Sequence, residues 1–338
     1  MKLRRCNLLL KSLDERELII KVCKLYYLEN KTQNEIAKIV GISRPKVSRL
    51  LAAGREMGIV KIEIDTGSVL NDEEETSELL VEKFNLKNVV IVDCLSQRKN
   101  ISSIATAAAK FLSSYIKDGQ IIGVSWGRTL YQTCERIVFN GRYNNTLFVP
   151  LLGGVGQFRY QYQMNSIVEK MANAFHAMRY YLHAPAVLEN PAVLEIMLQD
   201  NSIKLVTDMW DKLDLAIVGI GEPISLSNAF KDIFDQEFLA NLIKAQAVGD
   251  IAGRFFTADG TECKNVGISM LGISLDQLKK TPEVIGVAGG KEKVPAIYAA
   301  IKARYINSLI TDLDTALSIL KMEEKLYEDR GSNKSKFR

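Results

Sequence analysis

One segment of the chain combines glycines with side chains that suit an anion. Within 123–129, Gly127 stands among Ser125, Arg128 and Thr129, directly after an aliphatic run. Backbone N–H groups at a strand-to-helix turn, together with hydroxyls and a guanidinium, are good donors to a phosphate. The segment therefore predicts an anion-binding loop, but a glycine turn with a purely structural role agrees equally well with these residues alone.

Two further glycine turns accompany predicted strands. The pair Gly153-Gly154 follows one aliphatic run, and Gly289-Gly290 precedes a helix whose first turn carries Lys293. Ligands of open α/β sheets bind beyond the carboxyl ends of the strands, where such turns lie. We therefore expect these turns and 123–129 to contribute to one crevice.

Other reactive residues form no recognisable site. Trp126 could stack on a sugar, but a tryptophan beside a strand end also packs well into a core. His176 and His183 are more consistent with packing or surface groups than with a metal pair. The five cysteines form no CxxC pair, and no nucleophile elbow, Walker loop or HExxH motif occurs. We predict no catalytic residue, no metal and no cofactor.

A different chemistry is indicated near the N-terminus. Residues 1–61 contain 14 Lys and Arg but 6 Asp and Glu, whereas the remaining chain is slightly acidic. A small, strongly basic domain is typical of proteins that bind the phosphate backbone of DNA. The predicted DNA-binding residues are Thr32, Gln33, Ser43, Arg44, Lys46, Ser48 and Arg49.

The elements that would position these residues form a helix-turn-helix. Thr32 and Glu35 have the spacing of a capping box, so a helix should begin there. Gly41 should end it, and Ser43 with Pro45 should begin the next helix. A protein-binding three-helix scaffold is the less favoured alternative. The alternating run 59–64 predicts a strand, which would make this domain winged-helix-like.

After this domain the pattern of the sequence changes. The polar, acidic stretch 65–75 predicts a linker, 76–328 an α/β domain, and 329–338 a disordered tail. Helical stretches in the α/β domain alternate with short β-branched runs, which predicts a doubly wound, mostly parallel sheet. The predicted strands are 89–92, 121–124, 146–151, 215–220, 284–288 and 308–311.

Two parts of the sequence resemble one known family. The stretch 20–64, containing TQNEIAKIVGISRPKVSRLLAAGREMGIV, closely resembles the DNA-binding domain of the SorC/DeoR-type sugar-responsive bacterial regulators. Most of 70–320 resembles the SorC-family sugar-binding domain in the order and spacing of its motifs. These motifs are the three glycine turns and the segments 183–186, 216–221, 249–254 and 309–312.

The resemblance implies a fold similar to sugar-phosphate isomerases and CoA transferases, a phosphosugar effector and assembly into dimers or tetramers. It assigns Arg128 and Thr129 to the phosphate loop and Lys293 to the phosphate lysine. It also assigns Gln163 and Asn165 to a polar pair that opens a helix, and Asp250 to a sugar hydroxyl. The complete predicted effector site is Ser125, Trp126, Gly127, Arg128, Thr129, Gly153, Gly154, Gln163, Asn165, Asp250 and Lys293.

The leading hypothesis is therefore a cytoplasmic, homo-oligomeric transcriptional regulator that binds double-stranded operator DNA and a sugar phosphate. Its apolar runs are too short to span a membrane, so we expect no membrane role. The alternative is a sugar-phosphate isomerase or deaminase with an accessory DNA-binding domain. An enzyme would need a general base and an acid partner, and the sequence offers Asp250 without an evident partner.

Overall fold

The computed structural model describes residues 16–60, 69–92, 100–155, 162–222, 234–264 and 266–335. The chain divides into two units, residues 1–67 and residues 68–338, and each has its own hydrophobic core. Among the described residues, no helix is both long and apolar enough to cross a membrane.

The first unit is helical and has the predicted helix-turn-helix. Its helices are α1 (16–27), α2 (Gln33–Val40) and α3 (Arg44–Glu56). Ile36 and Val47 are fully buried between them, because each occupies the inner face of its helix. The strand predicted at 59–64 lies mostly outside the described residues.

Local signals fix where these helices begin and end. The N–H of Thr32 donates to the Glu35 carboxylate at 2.8 Å, and the N–H of Glu35 donates to the Thr32 hydroxyl at 3.4 Å. This is the predicted capping box. Gly41 ends α2 with φ of 72°, a left-handed conformation that costs glycine little. The short turn that follows sets the start of α3.

A seven-stranded parallel sheet forms the centre of the second unit, which confirms the predicted fold class. Its spatial order is β1-β11-β10-β6-β2-β3-β4, and β5/β9 and β7/β8 form two small antiparallel pairs. The strands are β1 (Asn88–Val92), β2 (Ile121–Val124), β3 (Leu147–Pro150), β4 (Met178–Arg179), β5 (Val187–Leu188), β6 (Leu215–Gly219), β7 (Gly249–Ile251), β8 (Arg254–Phe256), β9 (Ser269–Met270), β10 (Glu283–Val287) and β11 (Ser308–Asp312).

Helices cover both faces of this sheet. They are α4 (Val69–Phe84), α5 (Asn100–Tyr115), α6 (Arg128–Cys134), α7 (Met164–Phe175), α8 (Pro191–Gln199), α9 (Asn201–Thr207), α10 (Gln236–Lys244), α11 (Leu275–Lys280), α12 (Val294–Lys302) and α13 (Leu313–Ser335). Alternate residues of β6 enter opposite cores. Ala216 and Val218 belong to one hydrophobic cluster, and Leu215 and Ile217 belong to the other. The central strands are therefore buried on both sides, as parallel sheets generally are.

Three boundaries differ from those read in the sequence. The helical pattern of the sequence continues over 166–181, but α7 ends at Phe175, because His176 adopts a left-handed φ of 52° and the chain then forms β4. Helix α4 begins at Val69, inside the predicted linker 65–75, where acidic residues favour a helix N-terminus. Helix α13 continues to Ser335, into the predicted tail 329–338.

Candidate functional site

A cavity of about 430 Å³ opens beyond the carboxyl ends of the central strands. Its wall is made by the segments that follow β2, β6, β10 and β11, by the start of α5, and by Asp250 from β7. The lining residues are Asn100, Ile101, Ile104, Trp126, Gly127, Arg128, Thr129, Leu130, Gly219, Ile220, Gly221, Glu222, Asp250, Val287, Gly289, Gly290, Lys291, Glu292, Lys293, Asp312 and Asp314.

Six of the eleven predicted effector residues line this cavity. They come from three separate places in the sequence, 126–129, Asp250 and Lys293. The parallel sheet brings them together because its strands all end at the same edge. Arg128 is exposed and Trp126 is half-buried against the two hydrophobic clusters behind the loop. Trp126 therefore combines the packing role and the cavity position that the sequence left open.

Three other predicted residues, Ser125, Gly153 and Gly154, do not line the cavity. Ser125 is fully buried, and its hydroxyl has no hydrogen-bond partner among the described residues. Gly153 donates its N–H to a backbone carbonyl at 3.0 Å, and Gly154 bridges to the strand-like segment around Pro185. A β-carbon on Gly153 would overlap the backbone near Pro185. This glycine turn serves chain packing, and neither of its glycines lines the cavity.

Gln163 and Asn165, the polar pair at the start of α7, use their side chains to hydrogen-bond the backbone. The Gln163 side-chain amide accepts from the N–H of Val155 at 3.2 Å and donates to its carbonyl at 3.0 Å. Asn165 pairs in the same way with Leu182, at 3.1 Å and 3.2 Å. Neither residue lines the cavity. In this structure both amides therefore hold loops beside β3.

Asp250 is held against the end of β6 by close backbone contact. The N–H of Gly221 donates to the Asp250 carbonyl at 2.9 Å, and the Asp250 carboxylate accepts from the N–H of Gly253 at 3.0 Å. A β-carbon on Gly221 would overlap the Asp250 carboxyl. Burial raises the pKa of Asp250 to about 6, although the Gly253 N–H and the nearby Lys293 charge oppose this shift.

Lys293 contacts the same strand end as Asp250. Its ammonium donates to the carbonyl of Ile220 at 2.8 Å. Enclosure of the ammonium lowers the pKa of Lys293, and the nearby carboxylates of Glu222 and Asp250 act in the opposite direction. Arg128 is close enough to lower the pKa of Lys293 further. Cations and carboxylates thus share one small, partly enclosed space.

Besides Asp250, four acidic residues line the cavity, and none of them was among the predicted site residues: Glu222, Glu292, Asp312 and Asp314. Asp312 ends β11, and its carboxylate accepts from the N–H of Gly290 at 3.0 Å and from the Thr315 hydroxyl at 2.6 Å. It therefore holds the third glycine turn in place. Glu222 follows β6 and faces Lys293. Their positions directly after predicted strands were the available signal, but spacing alone gives no reason to prefer these acids over others.

Six of the seven predicted DNA-binding residues are exposed on the first unit. Arg44, Lys46 and Arg49 of α3 are exposed, whereas Val47 and Leu50 face the core. Ser43 begins α3 without using its hydroxyl as a cap, so this hydroxyl stays available. Ser48 and Thr32 are exposed and Gln33 is half-buried. The helix can therefore present its basic side to base edges and phosphates.

Comparison with known proteins supports this two-part arrangement. Residues 70–321 match the family described as "Putative sugar-binding domain", and residues 9–56 match "Sigma-70, region 4". The chain is 33% identical to the sorbitol operon regulator of Klebsiella pneumoniae over 313 residues, which cover 91% of this chain and 99% of that protein. The chain belongs to the SorC/DeoR-type family of sugar-binding transcriptional regulators.

Other members of the SorC/DeoR-type family agree in sequence and fold. The deoxyribonucleoside regulator of Bacillus subtilis (strain 168) is 31% identical over 310 residues, covering 91% of this chain and 98% of that protein. The crystal structure of the full-length sorbitol operon regulator SorC from K. pneumoniae superposes with a TM-score of 0.73 and 32% identity. It covers 91% of this chain and 99% of its own. The likeness therefore includes both units.

Proposed function

We propose that this SorC/DeoR-type regulator binds operator DNA through α3 and responds to a phosphorylated sugar bound in the cavity beyond the sheet. One observation carries the proposal for the effector. Arg128 and Lys293 line the same cavity as the buried carboxyl of Asp250. Two cations suit a phosphate, and a buried carboxyl suits a sugar hydroxyl, so together they match the two ends of a sugar phosphate.

The phosphate is the part of the effector that the cations favour. A phosphomonoester carries close to two negative charges at neutral pH, and hydrogen bonds between ionised groups are roughly twice as strong as neutral ones. Arg128 is exposed and can turn towards the ligand, whereas the Lys293 ammonium is already fixed by Ile220. A neutral sugar would offer Arg128 and Lys293 no anionic group beyond the carboxylates that already lie near Lys293.

The proposed DNA contacts follow from the exposed side of α3. Arg44 and Arg49 are assigned to base edges in the major groove, since a guanidinium can contact a guanine with two hydrogen bonds. Lys46, with the hydroxyls of Ser43 and Ser48, is assigned to phosphates or neighbouring base edges. Thr32 and Gln33 are assigned to the backbone beside the groove. The protein would act in the cytoplasm, as a homo-oligomer on paired half-sites.

Effector binding would control transcription by changing how the sensor units of the oligomer are arranged, and hence the spacing of the two DNA-reading helices. We further propose that the cavity binds its sugar without converting it. Glu222 supplies a second carboxylate in the same cavity as Asp250, and an isomerase would need such a pair. The enzyme alternative therefore requires a direct assay, in which pentose and hexose phosphates are incubated with the protein and product is measured. Conversion at ordinary enzymatic rates would contradict the proposal.

The effector assignment is tested by comparing each sugar phosphate with its free sugar. A thermal-shift panel identifies the ligand, because a ligand at about 100 times its Kd stabilises the protein by roughly 2.7 kcal/mol. Calorimetry then measures both forms. We expect the phosphorylated sugar to bind and the free sugar to bind far more weakly. Equal affinities would show that the cavity does not recognise phosphate.

A further inference from the structure

Two helices of the second unit begin at the wall of the cavity. Lys293 directly precedes α12 and Asp312 directly precedes α13, and both residues line the cavity. The N–H of Gly290, in the turn before α12, donates to the Asp312 carboxylate at 3.0 Å and to the Thr315 hydroxyl at 2.8 Å. Thr315 lies in the first turn of α13 and is fully buried. The starts of the two helices are therefore tied together at the proposed effector site.

The same two helices are joined again, outside the cavity, by Glu323 of α13. Glu323 is 3% exposed, and its carboxylate accepts hydrogen bonds from the Tyr298 hydroxyl and, at 3.1 Å, from the Lys302 ammonium. Tyr298 and Lys302 both belong to α12. A buried charge that loses its partner is strongly destabilising. The Glu323 contact therefore fixes the position of α13 along α12.

Helix α4 ends against this contact. The Tyr298 ring packs edge-on against Phe84, the last residue of α4, with the ring centroids 6.0 Å apart. The Lys302 ammonium lies 5.9 Å from the centroid of the Phe84 ring. Arg304, just beyond α12, donates to the Phe84 carbonyl at 3.2 Å, as basic side chains commonly do at the end of a helix. The two residues that bind Glu323 thus also hold the end of α4.

The place of α4 in the chain gives these contacts a functional meaning. The first unit ends at residue 67 and α4 begins at Val69, so α4 is the first helix after the DNA-binding unit. Helices α12 and α13 contact the cavity at their starts and α4 further along. Rigid helices that pack together can pass a small displacement from one site to another.

We propose that Glu323 couples effector binding in the cavity to α4 by locking α12 to α13. The inference rests on the proposed function, since it takes the phosphate to bind Lys293. A phosphate that draws the Lys293 ammonium towards it shifts the start of α12. With the Glu323 contact in place, α12 and α13 shift together and carry Phe84 with them. Without it, the two helices slide past each other and absorb the displacement.

Glu323 is therefore a positioning residue whose loss should separate effector binding from the response. The ligand is the sugar phosphate that gives the largest thermal shift in the panel. We expect Glu323→Gln to bind it within about twofold of the wild-type affinity in calorimetry. The ratio of operator affinities without and with this ligand, measured by fluorescence anisotropy, should fall towards one from the roughly 5–150-fold range of coupled sites.

Two further variants make this measurement specific. Tyr298→Phe keeps the ring beside Phe84 but removes one hydrogen bond of Glu323, so it should reduce the response in the same direction. Glu324→Gln is the matched control, because it makes the same substitution one residue away at an exposed position. Its ion pair with Lys83, at 3.6 Å, is exposed and should contribute little. This variant should respond as the wild type does.

A second readout needs no sugar and is independent of the effector assignment. Coupling is reciprocal, so operator DNA bound to the first unit must also act on the cavity. Hydrogen exchange of the turn 288–293 should change on addition of operator DNA in the wild type and in Glu324→Gln. It should not change in Glu323→Gln or Tyr298→Phe.

The outcomes of the two readouts can be told apart. If no sugar phosphate binds the wild type, the proposed effector is wrong, and hydrogen exchange alone decides on Glu323. A wild-type response in Glu323→Gln, or no exchange difference in the wild type, would overturn the coupling. Loss of the response in Glu324→Gln as well would also overturn it. Circular dichroism checks that each variant is folded, and Tyr298→Phe decides if Glu323→Gln is not.

Discussion

Gly221 and Asp250 contact each other in two ways, through a backbone hydrogen bond and through close packing of the Asp250 carboxyl. The N–H of Gly221 donates to the Asp250 carbonyl at 2.9 Å, and the Asp250 carboxyl lies against the α-carbon of Gly221, where a side chain would overlap it. Gly221 has no left-handed φ, so its lack of a side chain is required by this approach and not by its backbone conformation. The position of the buried carboxyl in the cavity thus depends on a residue with no side chain.

This relationship predicts that Gly221→Ala displaces the Asp250 carboxyl and weakens binding of the sugar phosphate about tenfold or more, or about 1.4 kcal/mol. Calorimetry with the ligand identified by the panel measures the change. Gly154→Ala is the control, because a β-carbon there makes only ordinary contacts at 3.8 Å and Gly154 lies outside the cavity. Equal affinities for Gly221→Ala and wild type would show that the Asp250 carboxyl does not position the ligand.

Arg128 and Lys293 are the two cations proposed to bind the phosphate. Substituting either of them should weaken effector binding without changing DNA binding. We expect Lys293→Met and Arg128→Ala each to weaken binding of the sugar phosphate by about 1.5–3 kcal/mol, the range for a hydrogen bond to a charged group. Operator affinity without effector should stay near the wild-type value, since neither residue belongs to the first unit. Fluorescence anisotropy of labelled operator DNA, with and without the ligand, measures both quantities.

Lys291→Met provides the comparison for these variants. Lys291 also lines the cavity, but it is exposed and its ammonium lies 3.9 Å from the Asp314 carboxylate. Its loss should cost well under 1 kcal/mol of binding, because exposed ion pairs contribute little. If Lys291→Met impaired the response as strongly as Lys293→Met, the phosphate would be held at the rim and not beside Ile220.

The exposed arginines of α3 should carry operator recognition. Arg44→Ala and Arg49→Ala are each expected to weaken operator binding by about 1–3 kcal/mol if the side chain contacts a guanine with two hydrogen bonds. Lys21→Ala on α1 removes the same charge from an exposed position away from α3 and should have a smaller effect. An unchanged footprint in both arginine variants would remove α3 as the reading helix.

The buried carboxyl of Asp250 should make stability depend on pH. Its pKa in the folded protein is about 6, above the value of about 3.9 expected in the unfolded chain, so the folded state binds the proton more tightly. Stability should therefore fall as pH rises from about 4 to 6, by up to about 3 kcal/mol. Asp250→Asn removes this titration. Urea unfolding of both proteins between pH 4 and 7 should show the wild-type curve declining relative to the variant. Parallel curves would mean that folding does not raise the pKa of Asp250.

The periodic parts of the fold were predictable because local chemistry determines them. A few neighbouring residues are enough to predict the capping box of Thr32 and Glu35, the turn at Gly41 and the β-branched strands. The end of α7 at His176 was not predictable in this way. Its helical pattern continues, and pairing of β4 with the distant strand β3 decides the outcome. Tertiary contact here overrides local preference.

The residues of the candidate site were likewise predictable only in part. Residues directly after strand ends, such as Arg128 and Lys293, could be placed in one crevice because a parallel sheet aligns its carboxyl ends. Gln163 and Asn165 could not be placed, because the sequence does not tell whether an amide faces a ligand or a neighbouring backbone. Here both are paired with the backbone. The role of Gly221 could not be predicted either, because it depends on contact with the Asp250 carboxyl, which the sequence does not show.

The pairing of β1 with β11 has a consequence for how the protein is made. Asn88 aligns with Ser308, and β11 is the only sheet neighbour of β1 within the described residues. A ribosome adds about 5–20 residues each second, so β1 emerges roughly 10–40 s before its partner exists. The DNA-reading helices end at Glu56 and can fold during that interval. Until translation is nearly complete, the nascent sensor carries an unpaired aliphatic strand, which makes this stage the one most exposed to aggregation and to chaperone binding.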